Sequence, residues 1–407
     1  MTTTRPERRR NRSGMLRQVG ASGAARGSAA LGQAALLILL ARDVGPAMFG
    51  TLAVFFSLQA VVFPIAGMNT PTFVAREYAK GSVETALASM RTNRVVVTAA
   101  FVLTTLVTAP LWGSVQPAAA IAANGLSASA DNVSDNRLAV SYAQRRAAPA
   151  VVVIVARSVV ALTVYLVLLA MSWGALEAFS LAKVASAIVS ISLSRLTVKT
   201  ERLRRVTSTR QILRQQFGMA SALWASSLRN FDVIILSAVA GVHAAGLYAA
   251  ASRAITPFWL VPASINPVLV PSAVGWRPEK ATKLIRDLYV GLVLLSVVTL
   301  AFGPFAERGV TLVLGADYAG AGILLILISL RIGPVAVGPV IAGVLQARGF
   351  EKYVGRNSLI VALLTLMGAY IGALIGGAAG AAVVIAVVAL FGSTRLWLTG
   401  RKLLMGS

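Results

Sequence analysis

A chain of 407 residues that is 57% hydrophobic, with a mean hydropathy of +0.76, carries more apolar surface than a soluble core can hide. These values exclude a soluble globular protein and indicate a polytopic membrane protein. Cysteine is absent and histidine occurs once, as His243. Disulfides and Cys/His metal sites are therefore excluded, and we expect His243 to be a loop residue without a catalytic role. A charge of +24 would suggest nucleic-acid binding in a soluble protein, but here the basic residues lie between apolar runs and set membrane topology.

Twelve apolar runs are long enough to cross a bilayer, since a helical crossing needs about 20 residues. Six form a predicted N-lobe, residues 19–196, and six form a predicted C-lobe, residues 217–397. The fourth run is the least apolar of the set. The runs are Val19–Ala41, Met48–Asn69, Val95–Trp112, Ala118–Val140, Pro149–Met171, Ala175–Leu196, Phe217–Ala240, Ala245–Val270, Leu288–Phe305, Ala321–Leu345, Ser358–Ile375 and Ala378–Trp397.

Three further segments are basic or short and lie outside the lobes. Residues 1–18 are predicted to be a cytoplasmic basic N-terminus without a signal-peptide cleavage site, either an amphipathic lead-in to the first helix or a tail. Residues 197–216 form a basic linker, either an amphipathic helix on the inner leaflet or a simple charged connection. Residues 398–407 are a predicted cytoplasmic tail.

The distribution of charge between the runs predicts the orientation. Of the basic residues outside the runs, all but Arg42 and Arg308 fall on the side of the N-terminus. By the positive-inside rule, both termini are expected in the cytoplasm. The outer loops are too short to form a catalytic domain, so we expect no enzymatic activity.

A glycine spacing occurs twice, half a chain apart. Gly45 and Gly50 stand five residues apart, and Gly241 and Gly246 repeat the pair at an offset of 196 residues. An apolar run then leads to an Asn and a Pro in both copies. The repeat predicts that a short hairpin between two apolar helices is used once in each lobe.

Ten of the charged residues inside the predicted spans lie at least three residues from a span end, and a central charge costs roughly 2.5–3.5 kcal/mol. In helix 1, Arg26 shares a helical stripe with Ser22 and Gln33. Helix 4 has a longer polar stripe, which predicts that it lines a cavity; it consists of Asn124, Ser127, Asp131, Ser134 and Asp135. The ten residues are Arg26, Asp131, Asp135, Arg137, Arg157, Lys183, Arg229, Asp232, Arg253 and Arg331.

Each of these charges has a structural and a functional interpretation. Arg137, Lys183 and Arg229 are interpreted as snorkelling to an interface, and Asp232 as pairing with Arg229 or Arg253. Four deeper arginines, one in each of four helices, are predicted to line a cavity for a phosphate or pyrophosphate, which guanidinium groups bind bidentately. They are Arg253, Arg26, Arg157 and Arg331. Candidates for ion coupling or a polar lumen are Asp131, Asp135, Asp232, Asn124 and Gln33.

Four strings carry a resemblance to a known family. ARDVGPAMFGTLAV at 41–54 is similar to the first hairpin of bacterial polysaccharide flippases of the O-antigen and capsule type. These belong to the multidrug/oligosaccharidyl-lipid/polysaccharide exporter superfamily. FDVIILSAVAGVHAAGLYAAASR at 231–253 resembles the start of that family's helices 7 and 8, and LVLGADYAGAGILL and VLQARGF resemble its helix 9–10 loop and the end of helix 10.

The resemblance implies an all-α fold of about 12 transmembrane helices, in two six-helix lobes that form a V. It implies a multi-pass flippase of the bacterial plasma membrane that moves polyprenyl-pyrophosphate-linked oligosaccharide repeat units. The peptidoglycan-precursor flippases of the superfamily have an Arg on helix 8, and that role is carried onto Arg253, near Tyr248 and Pro271. Two further C-terminal helices of that branch are missing here, which favours the polysaccharide branch.

The resemblance also sets expectations for partners and cofactors. We expect a lipid-linked glycan substrate, membrane lipids and, as further partners, a polysaccharide polymerase and glycosyltransferases. No nucleic acid, metal or cofactor is expected, and coupling to a proton or to Na⁺ is left open. A cation-coupled drug exporter of the same superfamily is the first alternative, although helix 1 has no acidic residue between Val19 and Ala41. A membrane-embedded glycan polymerase or ligase is the second, and a partner-docking scaffold the third.

Overall fold

The computed structural model describes residues 5–109, 115–144, 146–200, 208–255, 278–301 and 303–405, and over these residues the chain is helical without strands. Two 3₁₀ turns, Leu228–Phe231 and Ala316–Tyr318, join successive helices. The α-helices are α1 Arg5–Gly67, α2 Thr70–Ala79, α3 Val83–Thr108, α4 Val115–Ala143, α5 Ala148–Ala170, α6 Ala175–Thr197, α7 Thr209–Ser227, α8 Asp232–Ala254, α9 Pro278–Ala301, α10 Gly303–Leu314, α11 Ala321–Ser329, α12 Ile332–Ala347 and α13 Glu351–Met405.

Glycines interrupt three helices. Two of them, α1 and α13, are too long for a single crossing, and the third, α8, contains a turn. Gly45 interrupts α1 at φ 75° and ψ 166°, and Gly241 interrupts α8 at φ 87° and ψ 164°. A side chain would make such positive φ values unfavourable, whereas glycine adopts them readily. The two breaks have nearly the same geometry, which supports the predicted repeat of the first hairpin in the second lobe. The third break, at Gly376 and Gly377, divides α13.

The lengths of the helices account for the predicted crossings. Six described helices are long and apolar enough to cross a membrane, and the bent pair Ala321–Ser329 and Ile332–Gln346 makes a seventh. Two of the six, of 57 and 52 residues, contain the breaks in α1 and α13, and each is long enough for two crossings. The protein is thus a multi-pass membrane protein. We refer to α1–α6 as the N-lobe and to α7–α13 as the C-lobe.

Large apolar side chains cover the outside of the bundle. α3 exposes Leu103, Leu106 and Val107 by more than 60%, and α13 exposes Ile375 by 82%. A soluble protein would bury such a stripe, but these faces suit a hydrocarbon environment. The polar side chains of α4, by contrast, include Ser127 and Ser134, which are 3% and 0% exposed. The predicted polar stripe of helix 4 therefore faces the protein interior.

The two lobes meet where the two hairpins cross. An added Cβ at Gly50 would collide with the backbone oxygen of Val242, and one at Gly246 would collide with that of Pro46. Tyr318, on the loop before α11, donates a hydrogen bond to the Ala41 carbonyl at 2.8 Å. These contacts hold the lobes together at the ends that the positive-inside rule assigns to the outside.

Several helices extend beyond their apolar runs, so the predicted boundaries are approximate. α1 begins at Arg5, within the predicted N-terminal segment, and α13 continues to Met405. α7 begins at Thr209, so the second part of the predicted linker is helical. Its Gln216 is 2% exposed and donates hydrogen bonds to Thr70 and Ser89 of the N-lobe. The ends of the third and eighth runs, and residues 201–207, lie outside the described residues.

Candidate functional site

An arginine clamped between two carboxylates forms the centre of the N-lobe cluster. Asp131 and Asp135 are four residues apart on α4 and therefore lie on one helical face. Arg157 of α5 places Nη1 3.1 Å from Oδ1 of each carboxylate. Ser190 of α6 donates a hydrogen bond of 2.8 Å to the Asp131 carboxylate. Three helices thus supply one connected polar group.

Lys183 belongs to the same N-lobe cluster. It lies on α6, is only 7% exposed, and holds Nζ 5.6 Å from the ring centre of Phe179. Its charge interacts with those of Asp131 and Arg157. The interpretation that Lys183 snorkels to an interface is wrong, because the side chain is buried inside the bundle instead. With Lys183 included, two cations balance two carboxylates in the N-lobe cluster.

The C-lobe cluster is built around Arg331, which lies at the bend between α11 and α12. Its Nη1 is 3.7 Å from Oδ2 of Asp232 and donates a hydrogen bond of 3.2 Å to the Tyr248 hydroxyl. Nη2 contacts the hydroxyl of Ser252 at 3.5 Å. Tyr248 in turn donates a hydrogen bond of 2.9 Å to Asp232. The bend allows the Arg331 side chain to reach α8 from the helix that follows the loop.

The ion-pair partner of Asp232 differs from the prediction. We expected Arg229 or Arg253, and the salt bridge is instead with Arg331. The charges of Arg229 and Arg253 nevertheless interact with the same carboxylate. Three arginines of the C-lobe cluster therefore interact with one carboxylate, so that, counting the contacts of the described residues, the cluster holds two more cations than carboxylates.

Arg253 of the C-lobe cluster and Lys183 of the N-lobe cluster interact electrostatically. Arg253 lies on α8 of the C-lobe and Lys183 on α6 of the N-lobe; the charge of Lys183 is attracted by Asp131 and, more weakly, repelled by Arg253. Neither forms an ion pair with a described carboxylate within 4.0 Å, unlike Arg157 and Arg331. These two cations, one from each lobe, therefore lack a described carboxylate within ion-pair distance.

The other predicted residues have different surroundings. Asn124 donates a hydrogen bond of 2.7 Å to Gln59, which donates one of 2.8 Å to the Ile121 carbonyl, so Asn124 belongs to a separate contact between α4 and α1. Gln33 is exposed on α1, apart from both clusters. The backbone of Arg26 lies in α1, and its side chain is outside the described residues.

Sequence reasoning missed two members of the site. Lys183 stands near the middle of a helix that begins at Ala175 and ends at Thr197, and this central position was a signal against snorkelling. Tyr248 follows Gly246 in the repeated hairpin, but nothing in the sequence indicates that its hydroxyl joins Asp232 to Arg331. That contact depends on the bend between α11 and α12.

Solved structures of transporters resemble this chain over nearly its whole length. The Vibrio cholerae MATE transporter VcmN, solved as a point mutant, is 17% identical with a TM-score of 0.68, and covers 97% of this chain and 98% of its own. An inward-facing multidrug resistance MATE family transporter of the MOP superfamily is 16% identical with a TM-score of 0.70, covering 93% and 95%. The lipid II flippase MurJ, in an inward closed conformation, is 15% identical with a TM-score of 0.67, covering 93% and 86%.

A further neighbour is described by the polarity of its own binding pocket. A MOP-superfamily transporter from Pyrococcus furiosus is 14% identical with a TM-score of 0.68, and each chain is covered to 96%. It is described as having a binding pocket of reverse polarity, which suggests a different function for that protein. No protein-family model matches the sequence, and no curated protein does either. At these identities the likeness concerns the fold, and the predicted all-α architecture of two lobes in a V is confirmed: the chain has the fold of the MOP-superfamily transporters.

Proposed function

We propose that the protein is a flippase that moves a polyprenyl-pyrophosphate-linked oligosaccharide across the plasma membrane by alternating access of its two lobes. One observation carries the proposal: by the described contacts the two clusters together hold two more cations than carboxylates, and Arg253 and Lys183, which belong to opposite lobes and repel each other, form no ion pair with a described carboxylate. An anionic group placed between them would remove their mutual repulsion and join the lobes.

A pyrophosphate diester matches this charge. It carries about two negative charges at neutral pH, which equals the excess of the C-lobe cluster, and its oxygens accept bidentate hydrogen bonds from a guanidinium group. In our proposal Arg253 and Lys183 make the first contacts. Arg157 and Arg331 already have carboxylate partners, and they engage the ligand when those pairs loosen. Arg26 remains a candidate from the sequence stripe alone.

In our proposal, the glycan and the polyprenyl chain of the substrate occupy different environments, one polar and one apolar. The glycan occupies the polar space between the lobes, while the polyprenyl chain stays in lipid against the apolar outside of the bundle. Glycosyltransferases, acting before the crossing, and a polysaccharide polymerase, acting after it, would then be functional partners.

The carboxylates of the clusters could couple substrate binding to the binding of a proton or cation. Protonation of Asp232 would raise the excess positive charge from two to three and strengthen pyrophosphate binding, and loss of that proton would weaken it. The same argument applies to Asp131 and Asp135 around Arg157. We therefore propose that a proton, or a cation that takes its place at these carboxylates, drives the transport cycle.

A cation-coupled multidrug exporter is the second candidate, since MATE transporters share the fold. Two observations favour the flippase. Helix 1 has no acidic residue between Val19 and Ala41, and the excess charge of the C-lobe cluster would repel a cationic drug. A glycan polymerase or ligase finds no support in the short outer loops.

Transport assays in proteoliposomes separate the two candidates. Purified protein is reconstituted, and movement of a fluorescent polyprenyl-pyrophosphate oligosaccharide is measured beside efflux of the cationic dye ethidium. We expect the protein to move the lipid-linked oligosaccharide and to leave the dye inside. Dye efflux without movement of the lipid would reject the flippase in favour of the exporter.

A further inference from the structure

A second basic site lies outside the clusters, at the end of the C-lobe that the positive-inside rule assigns to the cytoplasm. The break at Gly376 and Gly377 folds α13 back on itself, so its first and last turns lie side by side. The Tyr353 hydroxyl donates a hydrogen bond of 3.0 Å to the Arg395 carbonyl and ties the two ends together. A pocket of about 550 Å³ opens beside this contact; it is lined by Gly349, Phe350, Lys352, Tyr353, Arg356, Thr399 and Leu403.

The charge of the pocket is of one sign. Lys352 and Arg356 are four residues apart on α13, lie on one helical face and are both exposed. Among the residues that the structure describes, no carboxylate forms an ion pair with either cation. Glu351, whose side chain lies outside the described residues, directly precedes Lys352 and is the last acidic residue of the sequence. The pocket therefore attracts anions, and Thr399 adds a hydroxyl to its wall.

The apolar part of the pocket narrows the choice of anion. Phe350 and Leu403 line it together with the two cations. Leu363 and Leu398 of the same helix are 49% and 48% exposed, which gives an apolar surface toward the hydrocarbon region. A phosphate ion would use the cations alone, whereas a phospholipid would use both parts, with its headgroup at Lys352 and Arg356 and its chains along the apolar face.

We propose that this pocket binds the phosphate headgroup of an anionic phospholipid of the inner leaflet. The site is separate from the transport clusters, and the proposal does not rest on the transported substrate. Basic pockets between helices on the cytoplasmic side suit anionic headgroups, because the negatively charged leaflet concentrates the ligand there. The bound lipid would join the two ends of α13 as a polar bridge.

Native mass spectrometry of the delipidated protein tests the proposal. Phosphatidylglycerol is titrated against the wild type and against the double variant Lys352→Gln/Arg356→Gln. We expect wild type to bind one phosphatidylglycerol in preference to phosphatidylcholine, and the double variant to bind it about tenfold more weakly. The matched control is Arg401→Gln/Lys402→Gln, which removes two exposed charges at the same end outside the pocket and should bind as wild type does.

Three results would overturn the proposal. Equal weakening in the control variant would indicate diffuse surface charge, and equal binding of phosphatidylcholine would show that the headgroup charge is irrelevant. Displacement of the lipid by inorganic phosphate at an equal concentration would assign the site to a free anion. The preference of the wild type between the two lipids is measured without any variant, so it is independent of variant folding.

Discussion

Asp232 and Arg331 form one ion pair, but their removal has unequal consequences because the surroundings of the pair are basic. Arg229 and Arg253 both interact with Asp232. Loss of Asp232 would therefore leave three neighbouring arginines without their shared carboxylate, whereas loss of Arg331 leaves Asp232 with cations nearby. The excess of charge thus predicts which partner matters more for stability.

We expect Asp232→Asn to destabilise the protein by about 3–5 kcal/mol, the typical effect of leaving buried charge uncompensated. Arg331→Gln should cost about 1–3 kcal/mol, the range for one lost buried partner. Thermal unfolding of the purified variants in detergent measures the difference. The opposite order would show that Arg229 and Arg253 do not compensate Asp232.

The N-lobe cluster predicts a corresponding asymmetry with the sign of charge reversed. Asp135→Asn leaves the bridge between Arg157 and Asp131 in place, and we expect a loss of about 1 kcal/mol. Arg157→Gln leaves two carboxylates one helical turn apart with Lys183 as their nearby cation, and it should cost several times more. Unfolding midpoints in the same detergent decide this, and equal midpoints would contradict the clamp.

The repeated hairpin shows how far the sequence predicts an element and where it stops. The spacing of Gly45 and Gly50 correctly predicted a repeated turn between helices. It did not reveal that the two glycines act differently. Gly45 allows the turn through its positive φ, while Gly50 allows a backbone of the other lobe to approach. The second role is a tertiary contact, which a local pattern does not encode.

Substitution at the crossing separates these roles. We expect Gly50→Ala or Gly246→Ala to prevent normal packing of the lobes, since the new Cβ would collide with backbone that has little room to move. Gly45→Ala should cost about 1 kcal/mol, because it strains φ without a steric contact. Gly291→Ala on α9, where an added Cβ meets nothing, is the control. Unfolding temperatures and size-exclusion profiles measure the effects; a wild-type profile for Gly50→Ala would contradict the close crossing.

The order of helices and lobes follows from hydropathy, because each crossing needs its own apolar run. The site was less predictable. The sequence indicated Arg157, Arg331 and the aspartates as buried charges, but pairing depends on which helices become neighbours. The predicted ion-pair partner of Asp232 was therefore wrong, as was the predicted position of Lys183 at an interface. The ends of an apolar run also do not mark the ends of its helix. α1 and α13 both continue as helix beyond the residues predicted to span the hydrocarbon region.

The orientation of the whole molecule gives a further prediction. The chain has no cysteine, so single cysteines report their own accessibility without background. In right-side-out vesicles, we expect Trp173→Cys, on the exposed turn between α5 and α6, to react with a membrane-impermeant maleimide. Arg401→Cys, near the end of α13, should react only after permeabilisation. The reverse pattern would contradict the predicted cytoplasmic termini.

The central claim is that two cations, one from each lobe, hold an anionic lipid-linked substrate. The most direct test is movement of a labelled polyprenyl-pyrophosphate oligosaccharide in proteoliposomes containing wild type, Arg253→Ala, Lys183→Gln or the control Lys283→Gln, an exposed cation on α9. We predict at least a tenfold loss of transport per folded protein for each of the first two variants, because each removes a charge-assisted contact. The control should transport normally. Wild-type transport by both Arg253→Ala and Lys183→Gln would contradict the account.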